Sequence, residues 1–195
     1  MNLKDFKNST LNGAYQNEDV LWHQHSNKLL IELMKYYPST TPVIDIGCGH
    51  NWYANVLKVL GYSAIGVDKT WFPGVDAILD ITIPLKESIE KRFIDGAPEK
   101  WNVLSLEVGE HIPSNLSSNY LNNVCDFGGD ILLSWAVPGQ AGIGHINCRP
   151  NEWVINEMWE RGYKIDTHKT QLLRGAVANC HCSWFQNTLM YFTKK

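Results

Sequence analysis

Short apolar runs recur along this chain, and between them apolar residues fall three or four positions apart. The runs at 43–47, 64–68, 102–106 and 130–134 are rich in Val, Ile and Leu. Glycine, acidic or serine residues bound them, which is the pattern of buried strands. A weaker run, Asp76-Ala77-Ile78-Leu79-Asp80, predicts a short strand, and Tyr163–Thr167 and Thr188–Phe192 predict two more near the end. Helical spacing appears over 17–37 (Val20, Leu21, Leu29, Leu30, Leu33, Met34), with Pro38 beyond it, and over 51–60 (Tyr53, Val56, Leu57, Leu60). Residues 84–94, opened by Pro84, are predicted helical, as are 114–126, with Ser114 a candidate cap, and the stretch from Pro150 to Arg161, ended by Gly162. Strands alternating with helices imply an α/β domain with a mostly parallel sheet and helices on both faces. Two strands after the last helix suit an antiparallel edge hairpin, making seven strands. Residues 1–16 are polar and expected to be loose or lid-like, so that 1–37 would form an N-terminal lid and helix.

Length and composition narrow the class. At 195 residues the chain is most simply one domain, 1–195, with room for a substantial core. The formal net charge of -3 gives no general attraction to nucleic acid. No apolar run approaches the ~20 residues of a membrane span, and the N-terminal residues lack the apolar core of a signal peptide. The five cysteines are odd in number and irregularly spaced, so reduced thiols in a cytoplasmic protein are the simplest expectation. Cys180-His181-Cys182 is the one close pair, and a zinc site there would need two more ligands. Oligomeric state is not readable.

Two segments carry chemistry. Val43-Ile44-Asp45-Ile46-Gly47-Cys48-Gly49 reads as a buried strand entering a glycine turn, and Asp68 ends the next strand 21 residues after Gly47. That is the pattern of a nucleoside-binding Rossmann-like unit. The third glycine of a dinucleotide motif is replaced by Trp52, and Asp45 would repel a pyrophosphate. A cofactor with a cationic amino-acid end suits Asp45, and its ribose diol suits Asp68. S-adenosyl-L-methionine has both.

On these residues the chain resembles the class I S-adenosylmethionine-dependent methyltransferases over nearly its whole length. Val43–Gly49 is similar to the family's first motif, Gly66-Val67-Asp68 to its ribose-binding position, Asp80-Ile81 to its adenine contact and Leu104–Val108 to its fourth-strand motif. The resemblance implies a Rossmann-like seven-stranded sheet. It also implies cofactor contacts from Asp45, Gly47, Cys48, Gly49, Asp68, Lys69, Asp80, Ile81 and Glu107.

The second segment is Glu107-Val108-Gly109-Glu110-His111, at the carboxyl end of the fourth strand, where open α/β sheets place their sites. Two carboxylates and an imidazole form a candidate divalent-metal half-site, and His145 in Gly142–Asn147 can complete it from the rim of the fifth strand. The set Glu107, Glu110, His111 and His145 is similar to small O-methyltransferases with an E-x-x-E-H segment, among them small-RNA 2′-O-methyltransferases. The resemblance implies Mg²⁺ or Mn²⁺ against the acceptor's oxygens. The alternatives are His111 or His145 acting as a general base without metal, or a purely structural cluster. Trp135 and Gln140 are expected near the pocket on a substrate-side loop, and Gln24 or His25 near the cofactor's carboxylate.

The reading is O-methylation of a hydroxyl on a small molecule, with a sugar or glycan preferred because eight tryptophans offer flat faces to sugar rings. The wording of Gly139–Trp153 resembles methyltransferases of large algal viruses and phages, some acting on glycans. An RNA-end 2′-O-methyltransferase is the alternative, weakened by the scarcity of Arg/Lys clusters. A catalytically inactive cofactor-binding partner subunit is the other.

Overall fold

A computed structural model of the chain describes residues 24–93 and 96–195. Seven strands form one sheet: β1 (Val43–Ile46), β2 (Ala64–Asp68), β3 (Ala77–Ile78), β4 (Trp101–Ser105), β5 (Gly128–Ser134), β6 (Tyr163–Ile165) and β7 (Leu189–Lys194). Their order is β3-β2-β1-β4-β5-β7-β6. The first five run parallel, and β7 lies antiparallel to both β5 and β6. The expected mostly parallel sheet with an antiparallel final pair is present. The pair is joined through two helices rather than a tight turn.

Central strands read as continuous apolar runs because both of their faces are covered. Ile44, Ile46, Val103, Ile131 and Leu133 pack into one core, with Tyr120 and Val154. Val43, Leu104 and Leu132 point the other way, onto Leu29, Leu33, Leu57 and Tyr191. The covering helices are α1 (Asn27–Leu33), α2 (Trp52–Val59), α3 (Lys86–Glu90), α4 (Ser117–Cys125), α5 (Asn151–Glu160), α6 (Thr167–Ala176) and α7 (Phe185–Thr188).

Several expected boundaries move. The 17–37 helix is described only from Ser26, whose Oγ accepts from Leu29 N at 3.3 Å and starts α1; residues 17–23 lie outside the described set. Residue 94, the expected end of α3, also lies outside it. Ser114 caps nothing: it opens a 3₁₀ turn, Ser114–Leu116, that leads into α4. Helix α6 has no counterpart among the predicted elements, because only Thr170 and Leu173 of its ten residues are buried, too thin an apolar stripe to recognise. Its start is marked instead by Asp166, which accepts from Lys169 N at 3.0 Å. The result places the carboxyl ends of β1, β2, β4 and β5 along one rim, and the site forms there. No helix among the described residues is long and apolar enough to cross a membrane.

Candidate active site

One cavity of about 740 Å³ opens along this rim, within the range of small-molecule pockets. One half of it is built by the turn after β1. Gly47 and Gly49 have φ of 76° and 50°, in the left-handed region open to glycine. Gly47 is needed for a second reason: a Cβ there would lie 2.5 Å from Val108 Cγ2. Asn51 is also left-handed, at φ 57°. Its buried amide donates to Gly74 O at 2.6 Å and to Asp76 Oδ2 at 2.9 Å, which ties the turn to the β2–β3 connection. Trp52, at the place of the absent third glycine, begins α2 and stacks on His25 with ring centroids 4.0 Å apart.

Asp45 and Asp68 both line this half. Asp68 accepts from Gly49 N at 3.0 Å and from Thr70 N at 2.8 Å. Burial raises its pKa, and these backbone bonds pull against that rise. Asp45 is fully buried, and its Oδ2 has no hydrogen-bond partner among the described residues. Burial first, and the Asp68 charge second, push its pKa up to about 8. A cation placed here would relieve both effects. Cys48, Lys69, Asp80, Ile81 and Glu107 also line the cavity. Gly49 does not: its N–H turns to Asp68, so its part is to hold that carboxylate. Lys69 pairs with Asp80 at 2.8 Å. Burial works to raise the Asp80 pKa, and the bonds from Lys69 and Thr82 outweigh it, leaving it low. Gln24 and His25 lie on the cavity wall.

The other half is built from β4, β5 and the loop after β5. Glu107 sits in the left-handed region at φ 55°, a costly conformation that tends to occur at functional sites. Its carboxylate accepts from Ser134 Oγ at 2.8 Å, Gln140 Nε2 at 2.9 Å and Thr188 Oγ1 at 3.4 Å. Ser134 also takes the Glu107 N–H at 2.7 Å. Glu110 and His111 form a 3₁₀ turn, Gly109–His111. Glu110 is 0% exposed. Neither carboxylate oxygen makes a hydrogen bond of ordinary geometry among the described residues, while the N–H groups of Glu110 and Ala136 and the Glu107 carboxyl lie close to it. Burial, then the neighbouring Glu107 charge, raises its pKa well above the usual carboxylate range.

His145 comes from the loop after β5. Its Nε2 lies 3.9 Å from Glu110 Oε1, and its ring meets that of His111 edge-on with centroids 5.1 Å apart. Burial lowers the His145 pKa, only partly offset by its bond to the Gln140 carbonyl, so the neutral, proton-accepting form is favoured. His111 Nδ1 donates to Gly144 O at 3.0 Å, so its neutral ring carries the proton on Nδ1. The two loops are pinned together: Ile146 N and Asn147 N donate to Glu110 O, each at 2.9 Å, and Asn147 Nδ2 donates to Gly109 O at 3.3 Å.

Glu110, His111 and His145 converge, with one donor atom from each lying within 4.8 Å of the others. Glu107 is not in that group; Ser134, Gln140 and Thr188 bond its carboxylate, which also lies beside that of Glu110. Of the four expected ligands, these three converge: Glu110, His111 and His145. Gln140 reaches the cavity, but Trp135 does not: it is fully buried, and its Nε1 donates to Asn147 O at 2.6 Å. Ser134, Thr188, Asn147, Trp184 and Phe185 carried no sequence signal. Thr188 is 81 residues from the glutamate it touches, so no local pattern could reveal it. No disulfide joins the five cysteines.

The geometry of this sheet is shared with solved structures. The 1,6-didemethyltoxoflavin-N1-methyltransferase of Burkholderia thailandensis superposes with a TM-score of 0.59 at 12% identity, over 98% of this chain and 86% of that one. Magnesium protoporphyrin IX methyltransferase of Synechocystis with bound S-adenosylmethionine gives 0.56 at 12%, over 99% and 96%. A TehB-like methyltransferase of Corynebacterium glutamicum gives 0.54 at 14%, over 91% and 93%. The fold is the S-adenosylmethionine-dependent methyltransferase fold. No protein-family model and no curated protein matches the sequence. At these identities the likeness establishes the fold, and the chemistry has to come from the site.

Proposed function

We propose that this chain is an S-adenosylmethionine-dependent O-methyltransferase acting on a hydroxyl of a small molecule, with a sugar or glycan the preferred class. One observation carries the reading: a single cavity joins an unpartnered Asp45 and a backbone-held Asp68 to a cluster of Glu110, His111 and His145. The first half suits a cofactor with an ammonium and a ribose. The second suits an alcohol that must lose a proton. The sulfonium cofactor supplies an electrophilic methyl group when bound. The chain's own part is to fix the two reactants in line and to take the proton. As the new C–O bond forms and the S–CH₃ bond breaks, the hydroxyl proton passes to neutral His145. The products are a methyl ether and the demethylated cofactor.

The same three residues fit a divalent cation. Glu110 has a buried carboxylate with no well-formed bond, and the two imidazoles are oriented by Gly144 and Gln140 carbonyls through their Nδ1 atoms, as metal-binding histidines commonly are. Glu110, His111 and His145 would hold the ion, and it would lower the pKa of the acceptor's hydroxyl. Two nitrogens and one carboxylate favour Mn²⁺ over Mg²⁺.

Calorimetry with S-adenosylmethionine tests the cofactor half: absence of binding by both the cofactor and its demethylated product overturns the reading. Tritiated-methyl transfer to glycan and RNA pools, with and without EDTA, tests the rest. Label in glycan is the expected result, label confined to RNA replaces the acceptor class, and activity unchanged in EDTA removes the metal.

A further inference from the structure

Gly142 is the residue beneath His145. A Cβ built on it would lie 2.1 Å from His145 Nε2, 2.2 Å from Cε1 and 2.6 Å from Cδ2. Contacts under about 3 Å are not tolerated by a real side chain, so the imidazole occupies the space a side chain would take. Backbone conformation does not explain the glycine, because Gly142 is absent from the positive-φ glycines, unlike Gly139 and Gly144 on either side of it. Nor does burial, because Gly142 itself is exposed. The three nearest atoms that a side chain here would meet all belong to the ring of His145.

That ring has few other restraints. Its one hydrogen bond among the described residues runs from Nδ1 to the Gln140 carbonyl and is long, at 3.4 Å. Its edge-on contact with His111 and the 3.9 Å approach of Nε2 to Glu110 depend on where the ring rests. The loop from Gln140 to His145 folds back on itself, with the bare face of Gly142 as the seat.

We propose that Gly142 is a positioning residue for His145: by lacking a side chain it seats the imidazole against Glu110 and His111, the arrangement the transfer reaction needs. This rests on the assignment of His145 to proton removal or metal ligation made above. A methyl group at 142 tilts the ring outward while the exposed loop keeps its backbone, so the loss falls on catalysis and not on folding.

Two measurements test the seat. The first needs no activity: nuclear Overhauser contacts of the His145 ring protons, assigned against His145→Ala. The wild type is expected to show contacts to the Gly142 α-protons and to the His111 ring. Gly142→Ala is expected to lose the His111 contact with its melting temperature and S-adenosylmethionine affinity kept. A wild type lacking the Gly142 contact, or a variant keeping the His111 contact, overturns the proposal even where Gly142→Ala is poorly stable. The second is a double-mutant cycle on methyl transfer to the glycan pool. Gly142→Ala alone is expected to lower turnover at least tenfold, and to add nothing in the His145→Ala background. Additive losses would mean that Gly142 acts by another route. If no glycan is methylated by the wild type, the O-methylation reading fails while the spectroscopic result still decides the seat.

Discussion

The two halves of the cavity are made in different ways. The cofactor half is local: Asp45, Gly47, Gly49 and Asp68 lie within 24 residues, on two adjacent parallel strands whose register pairs Asp45 with Gly66. Its geometry is mostly backbone, set by positive φ angles and N–H groups. The acceptor half is assembled from distant segments. Glu107 of the β4 rim is held by Ser134, Gln140 and Thr188, and His145 rests on a loop after β5. A side-chain-built half is where an acceptor can be changed without disturbing the cofactor.

The widest separation should come from one substitution in each half. Gly47→Ala forces a side chain into a left-handed turn and into Val108. It is expected to weaken S-adenosylmethionine binding at least 100-fold and to cost roughly 1–3 kcal/mol of stability. His145→Ala should leave cofactor affinity within about twofold and lower turnover by about 10²–10⁴-fold, the usual worth of a positioned general base. Calorimetry and methyl-transfer assays on the two variants check this. Full turnover in His145→Ala would break the division by removing His145 from the chemistry.

Asp45 gives the next effect, through pH. Its carboxyl is raised from 3.8 to about 8, so between those values the folded protein keeps a proton that the unfolded chain has released. Stability of the cofactor-free protein therefore falls as pH rises across that window. Asp45→Asn cannot lose a proton and should melt higher than the wild type at pH 8, by roughly 5 °C or more. The two should converge near pH 4. The same variant should bind S-adenosylmethionine at least tenfold more weakly, since it loses a charge-assisted bond. In the wild type, cofactor binding at pH 6.5 should release a proton, detectable as a buffer-dependent calorimetric heat. Parallel melting curves for the two proteins across this range would show that Asp45 is already ionised without cofactor.

This contrast also explains what could be read in advance. Strands β1, β2, β4 and β5 are visible as apolar runs because burial on both faces removes the polar alternation. The glycine turn is visible because left-handed φ selects glycine. Helix α6 was missed because its buried stripe is two residues wide. The site followed the same rule. Asp45, Gly47 and Asp68 stand in a short motif, whereas the bonds to Glu107 come from Ser134, Gln140 and Thr188, the last far along the chain. Trp135, expected at the pocket, lies in the core, and the lining residues of its loop begin five positions later at Gln140. The space against its ring is left by Gly109, where a Cβ would lie 2.3 Å from it, and that contact crosses 26 positions.

Gln140→Ala sharpens the acceptor half further. It removes the 2.9 Å bond to Glu107 and loosens the loop that carries His145. Turnover should fall about tenfold, in keeping with loss of a bond to a charged group, with cofactor affinity kept within twofold. Equal loss of both would show that Glu107 serves the cofactor rather than the acceptor side.

The smallest effect is expected at Lys69. Its ion pair with Asp80 is 2.8 Å long, but the side chains are 47% and 31% exposed. Pairs so open to water contribute about 0–1 kcal/mol and weaken with salt. Lys69→Ala should therefore shift the melting temperature by no more than about 3 °C and cofactor affinity by less than about threefold. Asp80 explains why the second shift stays small. Thr82 N and Oγ1 still hold its other oxygen at 2.9 and 2.6 Å, so the carboxylate keeps its place on the wall without the lysine. Calorimetry at low and high salt separates the cases: a small, salt-sensitive change fits a surface pair. A loss above tenfold that persists in salt would make Lys69 a direct cofactor contact, and one long side chain would then join the backbone-built half.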